Sequence, residues 1–89
     1  MIETEKEKIL QVRINKATEV VWEGEALSVS SRNAKGEFDI LGMHSNFICL
    51  VRDDPIKIIQ LDGTSNTYNF KQSVLFVNNN TVKIYSNIE

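Results

Sequence analysis

GEFDILGMHSNFI, residues 36–48, puts a glycine turn, a short apolar strand and the chain's only histidine, His44, into thirteen consecutive positions. Gly36 closes a run from Asn33 of residues that tolerate positive φ in a turn. Phe38 and Ile40 then alternate with Glu37 and Asp39, the period of two that sends strand side chains to opposite faces. The stretch therefore reads as turn, strand and loop.

The same alternation extends outward in both directions. Upstream, Leu10, Val12 and Ile14 fall on one face of a first strand and Gln11 and Arg13 on the other. Val20 and Trp22 share a face in a second, and Leu27 and Val29 alternate with Ser28 and Ser30. Downstream, Ile48–Val51 is a continuous apolar run, read as a strand buried on both faces and stopped by Asp53, Asp54 and Pro55. Pro55 can open the next strand but cannot sit inside its ladder. Ile56–Leu61 meets the hairpin signal Asp62-Gly63, with Tyr68 and Phe70 on the returning strand. Val74 and Phe76 precede Asn78, Asn79 and Asn80, which enter left-handed turns at little cost, and Val82 and Ile84 build the last strand.

Short strands separated by turn signals predict an all-β fold, a two-sheet β-sandwich of about ten short strands. Residues 1–8 read as a frayed, solvated N-terminal extension, and residues 9–89 as a single domain. A domain of 89 residues buries only about 60 to 65% of the surface its unfolded chain exposes. Its stability is expected to be roughly 4 to 13 kcal/mol.

With 42% hydrophobic and 25% charged residues, the composition is that of an ordinary globular protein, neither disordered, collagen-like nor membrane-embedded. No apolar run approaches the roughly 20 residues of a bilayer span. The formal net charge is −2, and scattered Lys and Arg form no basic stripe, so nucleic acid is not an expected partner. The single Cys49 cannot form an internal disulfide. The first residues lack the apolar run of a secretory signal, so an intracellular setting is expected.

Chemistry has little to work with. A metal site needs several converging ligands; His44 and Cys49 occur once each, and with Asp39 they make a poor set. No metal or other cofactor is expected. Ser45 lies beside His44, but nucleophilic catalysis needs a base and an orienter within reach, and no second histidine exists. The four glycines, Gly24, Gly36, Gly42 and Gly63, form no phosphate-binding loop. Asp53 and Asp54 read as a solvated turn, Cys49 as a small buried hydrophobe and Trp22 as core or interface.

Residues 36–48 resemble the GELGILPGHAPLL signature of the epsilon subunit of rotary ATP synthases, called delta in mitochondria. Gly36, Glu37, Ile40 and His44 match, and Phe38, Phe47 and Ile48 replace aliphatic positions with other apolar ones. LQVRINKA at Leu10–Ala17 is similar to the family's opening LxVxxA strand, Val21–Val29 to its next segment, and Val74–Val77 with Asn80–Ile84 to its closing pattern. In departure from it, Asp39 stands where glycine is usual, Gly42 and Met43 where proline and glycine are, and Asn46 at the second proline. Lys71, Gln72 and Ser73 replace a common SGG-like turn.

The resemblance implies a β-sandwich that is not catalytic by itself. It would be a central-stalk rotor subunit of a proton-translocating ATP synthase, coupling the gamma subunit to the polar loops of the c-ring. It further implies a position peripheral to the membrane, on the cytoplasmic side in a bacterial-type enzyme. Glu37, Met43, His44 and Phe47 would form the docking edge toward c-ring and gamma. Many members carry a C-terminal helical hairpin; here Glu89 follows the last strand almost at once, so neither inhibition by a helical arm nor ATP binding is expected. The alternative is a free-standing β-sandwich adaptor that pairs a partner with an exposed sheet edge. A small hydrolase would rest on His44 alone.

Overall fold

Strands form where the alternation is strongest. In the computed structural model, which describes residues 9–43 and 46–87, they run in chain order as β1 (Leu10–Asn15), β2 (Val20–Asn33), β3 (Gly36–Leu41), β4 (Phe47–Arg52), β5 (Pro55–Gln60), β6 (Ser65–Asn69), β7 (Gln72–Asn78) and β8 (Thr81–Asn87). Their hydrogen-bonded order is β4-β7-β8-β1-β2-β5-β6, with β3 also on β2.

β2 explains how one path makes two layers. It is 14 residues long; Val20–Ala26 pairs with β1, and the remainder pairs with β3 and β5. The first layer is thus β4-β7-β8-β1 with the start of β2, and the second is β3, the end of β2, β5 and β6. The register slips between Ala26 and Ser28, a bulge that bends the strand where it changes layer. Among the described residues there are eight strands, not about ten; the two alternating segments around Trp22 and Val29 are one continuous strand serving both sheets.

The bulge also corrects the reading of Leu27. Leu27 is exposed while Ala26 and Val29 are both fully buried, so the extra residue shifts the core-facing phase from even to odd positions. Leu27 and Val29 do not share a face.

Between the layers lie Leu10, Val12 and Ile14 of β1, Leu75 and Val77 of β7, and Val82 and Ile84 of β8, packed against Val29, Ile40, Ile56 and Ile58. Each such side chain stabilises the fold by about 1.5 to 3 kcal/mol relative to exposure. The parallel pairing of β1 with β8 sets Val12 beside Val82 and Ile14 beside Ile84, locking the first and last strands together mid-layer.

Turn chemistry follows the sequence closely. Asn79 and Asn80 take φ of 50° and 60° between the paired Asn78 and Thr81, the two-residue turn whose twist suits a hairpin. Gly63 takes φ 89° in the β5–β6 turn, where the Asp62 carboxylate accepts the Thr64 hydroxyl at 2.7 Å and its amide at 3.0 Å. These bonds hold the Asp62 carboxyl below its ordinary value. Asp53, at φ 55°, ends β4 and donates its amide to the Lys71 carbonyl at 2.9 Å.

β4 departs from expectation. Val51 is buried, but Ile48 is 65% exposed and Leu50 is also exposed. The strand pairs only with β7, standing at the edge of the first layer with its outer face open. Cys49 is accordingly half-buried rather than buried.

Candidate docking surfaces

The outer face of the first layer is built by register. Ile48 stands opposite Phe76, and Phe76 opposite Lys83; one row further, Leu50 faces Val74 and Val74 faces Tyr85. Leu75, Val77, Val82 and Ile84 take the inward positions, so their neighbours must point out. The result is a contiguous apolar patch of Ile48, Leu50, Val74, Phe76 and Tyr85. Phe76 and Tyr85 are 38% and 46% exposed and meet edge to face with centroids 5.5 Å apart. A contiguous patch of this kind marks an interaction site more often than scattered apolar residues do. Beyond Lys83 the face turns polar, with Arg13 and Glu23 in the same row.

From this face a shallow groove lined by Ile48, Phe76 and Lys83 reaches Asn46 and Asn79, and so meets the β3–β4 loop. Met43 in that loop is 67% exposed and adopts φ 65°, a left-handed conformation that costs a residue with a Cβ roughly 1 to 2 kcal/mol. Its amide donates to Asn80 Oδ1 at 2.6 Å, and the Asn79 amide donates to Asn46 Oδ1 at 3.1 Å. Exposed Leu41 leads into this loop opposite Ser28 of β2, whose chain neighbour Leu27 is also exposed.

The opposite end of β3 is charged. Glu37 is exposed and paired in register with Arg32. Asp54 and Lys57 share a groove with them, while Lys35 and Arg52 line an adjoining one. Ser31 Oγ donates to the Pro55 carbonyl at 2.9 Å, fixing the end of β2 against the start of β5.

Of the four residues expected at one docking edge, the three that are described are not together. Glu37 and Met43 lie roughly 15 to 20 Å apart, four strand steps of about 3.3 Å plus the turn beyond. Phe47 turns toward the core, its ring 6.4 Å from Phe38 and nearly perpendicular to it, so it closes the side of the sandwich between the β3 and β4 edges. His44 lies outside the described residues. The apolar outer face was not among the expected site residues. Its signal was the pair of continuous apolar runs, Ile48–Val51 and Val74–Val77, each more apolar than one buried face requires.

Burial raises the Cys49 thiol above its ordinary value, while a hydrogen bond from Asn33 pulls the other way. Among the described residues no three His, Cys, Asp or Glu side chains are grouped to hold a metal.

A stiff sandwich with an apolar outer face and a charged end has the build of a module that docks other proteins. The profile of the family described as ATP synthase, Delta/Epsilon chain, beta-sandwich domain matches residues 9–88, and the chain belongs to that family. Similar solved structures include a chain of the Euglena gracilis mitochondrial ATP synthase, in a cryo-EM structure that includes the c-ring, at TM-score 0.82 and 15% identity over 90% of this chain. A chain from the central stalk and c-ring of the Tetrahymena thermophila mitochondrial ATP synthase aligns at TM-score 0.71 and 11% identity, again over 90% of this chain. This chain spans 51% and 63% of those two chains. No curated protein sequence matches it.

Proposed function

We propose that the protein is a non-catalytic central-stalk subunit of a rotary ATP synthase that couples the gamma subunit to the c-ring. A rotor part carries torque through a broad interface rather than through a reactive centre, and interfaces draw most of their energy from a few buried aromatic and apolar anchors. The observation that carries this reading is the exposed apolar face of Ile48, Leu50, Val74, Phe76 and Tyr85 on a member of this family. That face, with the Met43 loop continuous with it, is assigned to gamma. The charged end with Glu37 is assigned to the polar loops of the c-ring, where an ionic contact suits a hydrated partner. In a bacterial-type enzyme both partners meet this subunit on the cytoplasmic side of the membrane.

Reconstitution with gamma and a c-ring tests the assignment. Glu37→Ala is expected to weaken c-ring binding and flatten its salt dependence while leaving gamma affinity unchanged. Unchanged c-ring affinity and salt dependence would remove Glu37 from the interface. Capture of extended peptides along the β4 edge, with no affinity for either stalk partner, would favour the free-standing adaptor.

A further inference from the structure

The loop that carries Met43 contains no proline; the chain's only proline is Pro55. Two reciprocal bridges hold its residues Met43 and Asn46. Asn80, from the β7–β8 turn, accepts the Met43 amide of the loop, and Asn46, from the loop, accepts the Asn79 amide of the turn. Each segment supplies one side-chain acceptor and one backbone donor. The turn is itself anchored, because the Asn80 carbonyl accepts the Gln11 amide of β1 at 2.8 Å. Through that bond the loop is tied to the centre of the first layer, next to the buried Leu10 and Val12. Three left-handed residues, Met43, Asn79 and Asn80, meet at this junction, and the bridges hold them in register.

We propose that Asn46 and Asn80 are positioning residues that hold Met43 and the β7–β8 turn in the conformation that docks to the stalk partner. They do by hydrogen bonding what proline does by restricting φ. This rests on the stalk reading given above. Residues already in their bound conformation lose less freedom on association, so the bridges raise affinity without touching the partner. The bridges link residues 37 and 33 positions apart in sequence, so they tie Met43 and Asn46 to the distant β7–β8 turn.

The test pairs amide hydrogen exchange on the isolated chain with Kd for purified gamma. Asn80→Gly keeps the left-handed conformation and removes the acceptor; Asn80→Asp keeps the acceptor; Asn46→Ala breaks the second bridge from an exposed site. The Met43 amide is expected to exchange at least about tenfold faster in Asn80→Gly and near the wild-type rate in Asn80→Asp, since exchange reports local opening. The Asn79 amide should speed up similarly in Asn46→Ala. Kd for gamma should rise about tenfold in Asn80→Gly and Asn46→Ala and stay near wild type in Asn80→Asp. Unchanged exchange would overturn the bridges. Faster exchange with unchanged Kd would overturn the positioning role. Failure of the wild-type chain to bind gamma would instead overturn the stalk reading, and the docking role with it, whatever the exchange rates show.

Discussion

The indole of Trp22 lies so close to Gly24 that a Cβ on Gly24 would stand 2.9 Å from Trp22 Cζ2 and 3.0 Å from Cη2. The two residues are two positions apart on β2, opposite Ile14 and Val12, and the ring packs on the core. Gly24 is thus the floor beneath the indole. Gly24→Ala must push a rigid ring aside, and overpacking of this kind costs about 1 to 3 kcal/mol. Reduced freedom of the unfolded chain returns only about 0.4 to 1 kcal/mol. A net loss of about 1 to 2 kcal/mol is expected in urea unfolding, with a shift in emission from Trp22, the chain's one tryptophan.

Ser73 and Ser86 face each other across β7 and β8 with their hydroxyls 3.1 Å apart, both buried. Each satisfies the other, so Ser73→Ala alone leaves the Ser86 hydroxyl buried without a partner and should cost about 1 to 3 kcal/mol. Replacing both with alanine removes both polar groups and should recover most of that loss. A double-mutant cycle by denaturant titration measures the coupling; additive costs would show that the pair does not interact.

Half-burial raises the Cys49 thiol above its ordinary value, and the Asn33 hydrogen bond partly opposes that shift. Alkylation of Cys49 should be slower than that of a free thiol at pH 7 and accelerate only above the ordinary thiol range, about 8.5. Asn33→Ala should push the thiol pKa further up. Because the folded pKa is raised, the contribution to stability is complete below the unfolded thiol pKa and is lost as pH rises through the folded one. The pH profile of the alkylation rate checks both directions.

The strands and hairpins were legible because each rests on local chemistry: alternation in β1 and β3, Asp62-Gly63 and Asn79-Asn80 at their turns. The bulge at Leu27 was not, since alternation carries no mark of where a strand passes from one layer to another. The run Ile48–Val51 was ambiguous for a related reason. A continuous apolar strand fits burial on both faces or an edge with a docking face, and only the number of its neighbours decides. The family resemblance put Glu37 and Met43 in one site, yet the extended strand between them sets them at opposite ends. The bridges through Asn46 and Asn80 join distant segments and left no local signal.

Charge on the apolar face should separate binding from folding. Ile48 is 65% exposed on the edge strand, so Ile48→Asp is expected to change stability by less than about 1 kcal/mol. Phe76→Asp also loses the ring contact with Tyr85 and is expected to cost about 1 to 2 kcal/mol. Each should weaken gamma binding by about 2 kcal/mol or more, the range of a buried interface anchor. Calorimetric melting of the variants alongside binding titrations distinguishes the two effects.

The most direct measurement is titration of the wild-type chain and of Phe76→Asp into purified gamma subunit from the same organism. A saturable one-to-one complex with the wild type, weakened at least about 30-fold by Phe76→Asp, is the expected result. A wild-type chain that folds but shows no affinity for gamma, or one that binds equally well with Phe76→Asp, would contradict the assignment of this face to the central stalk.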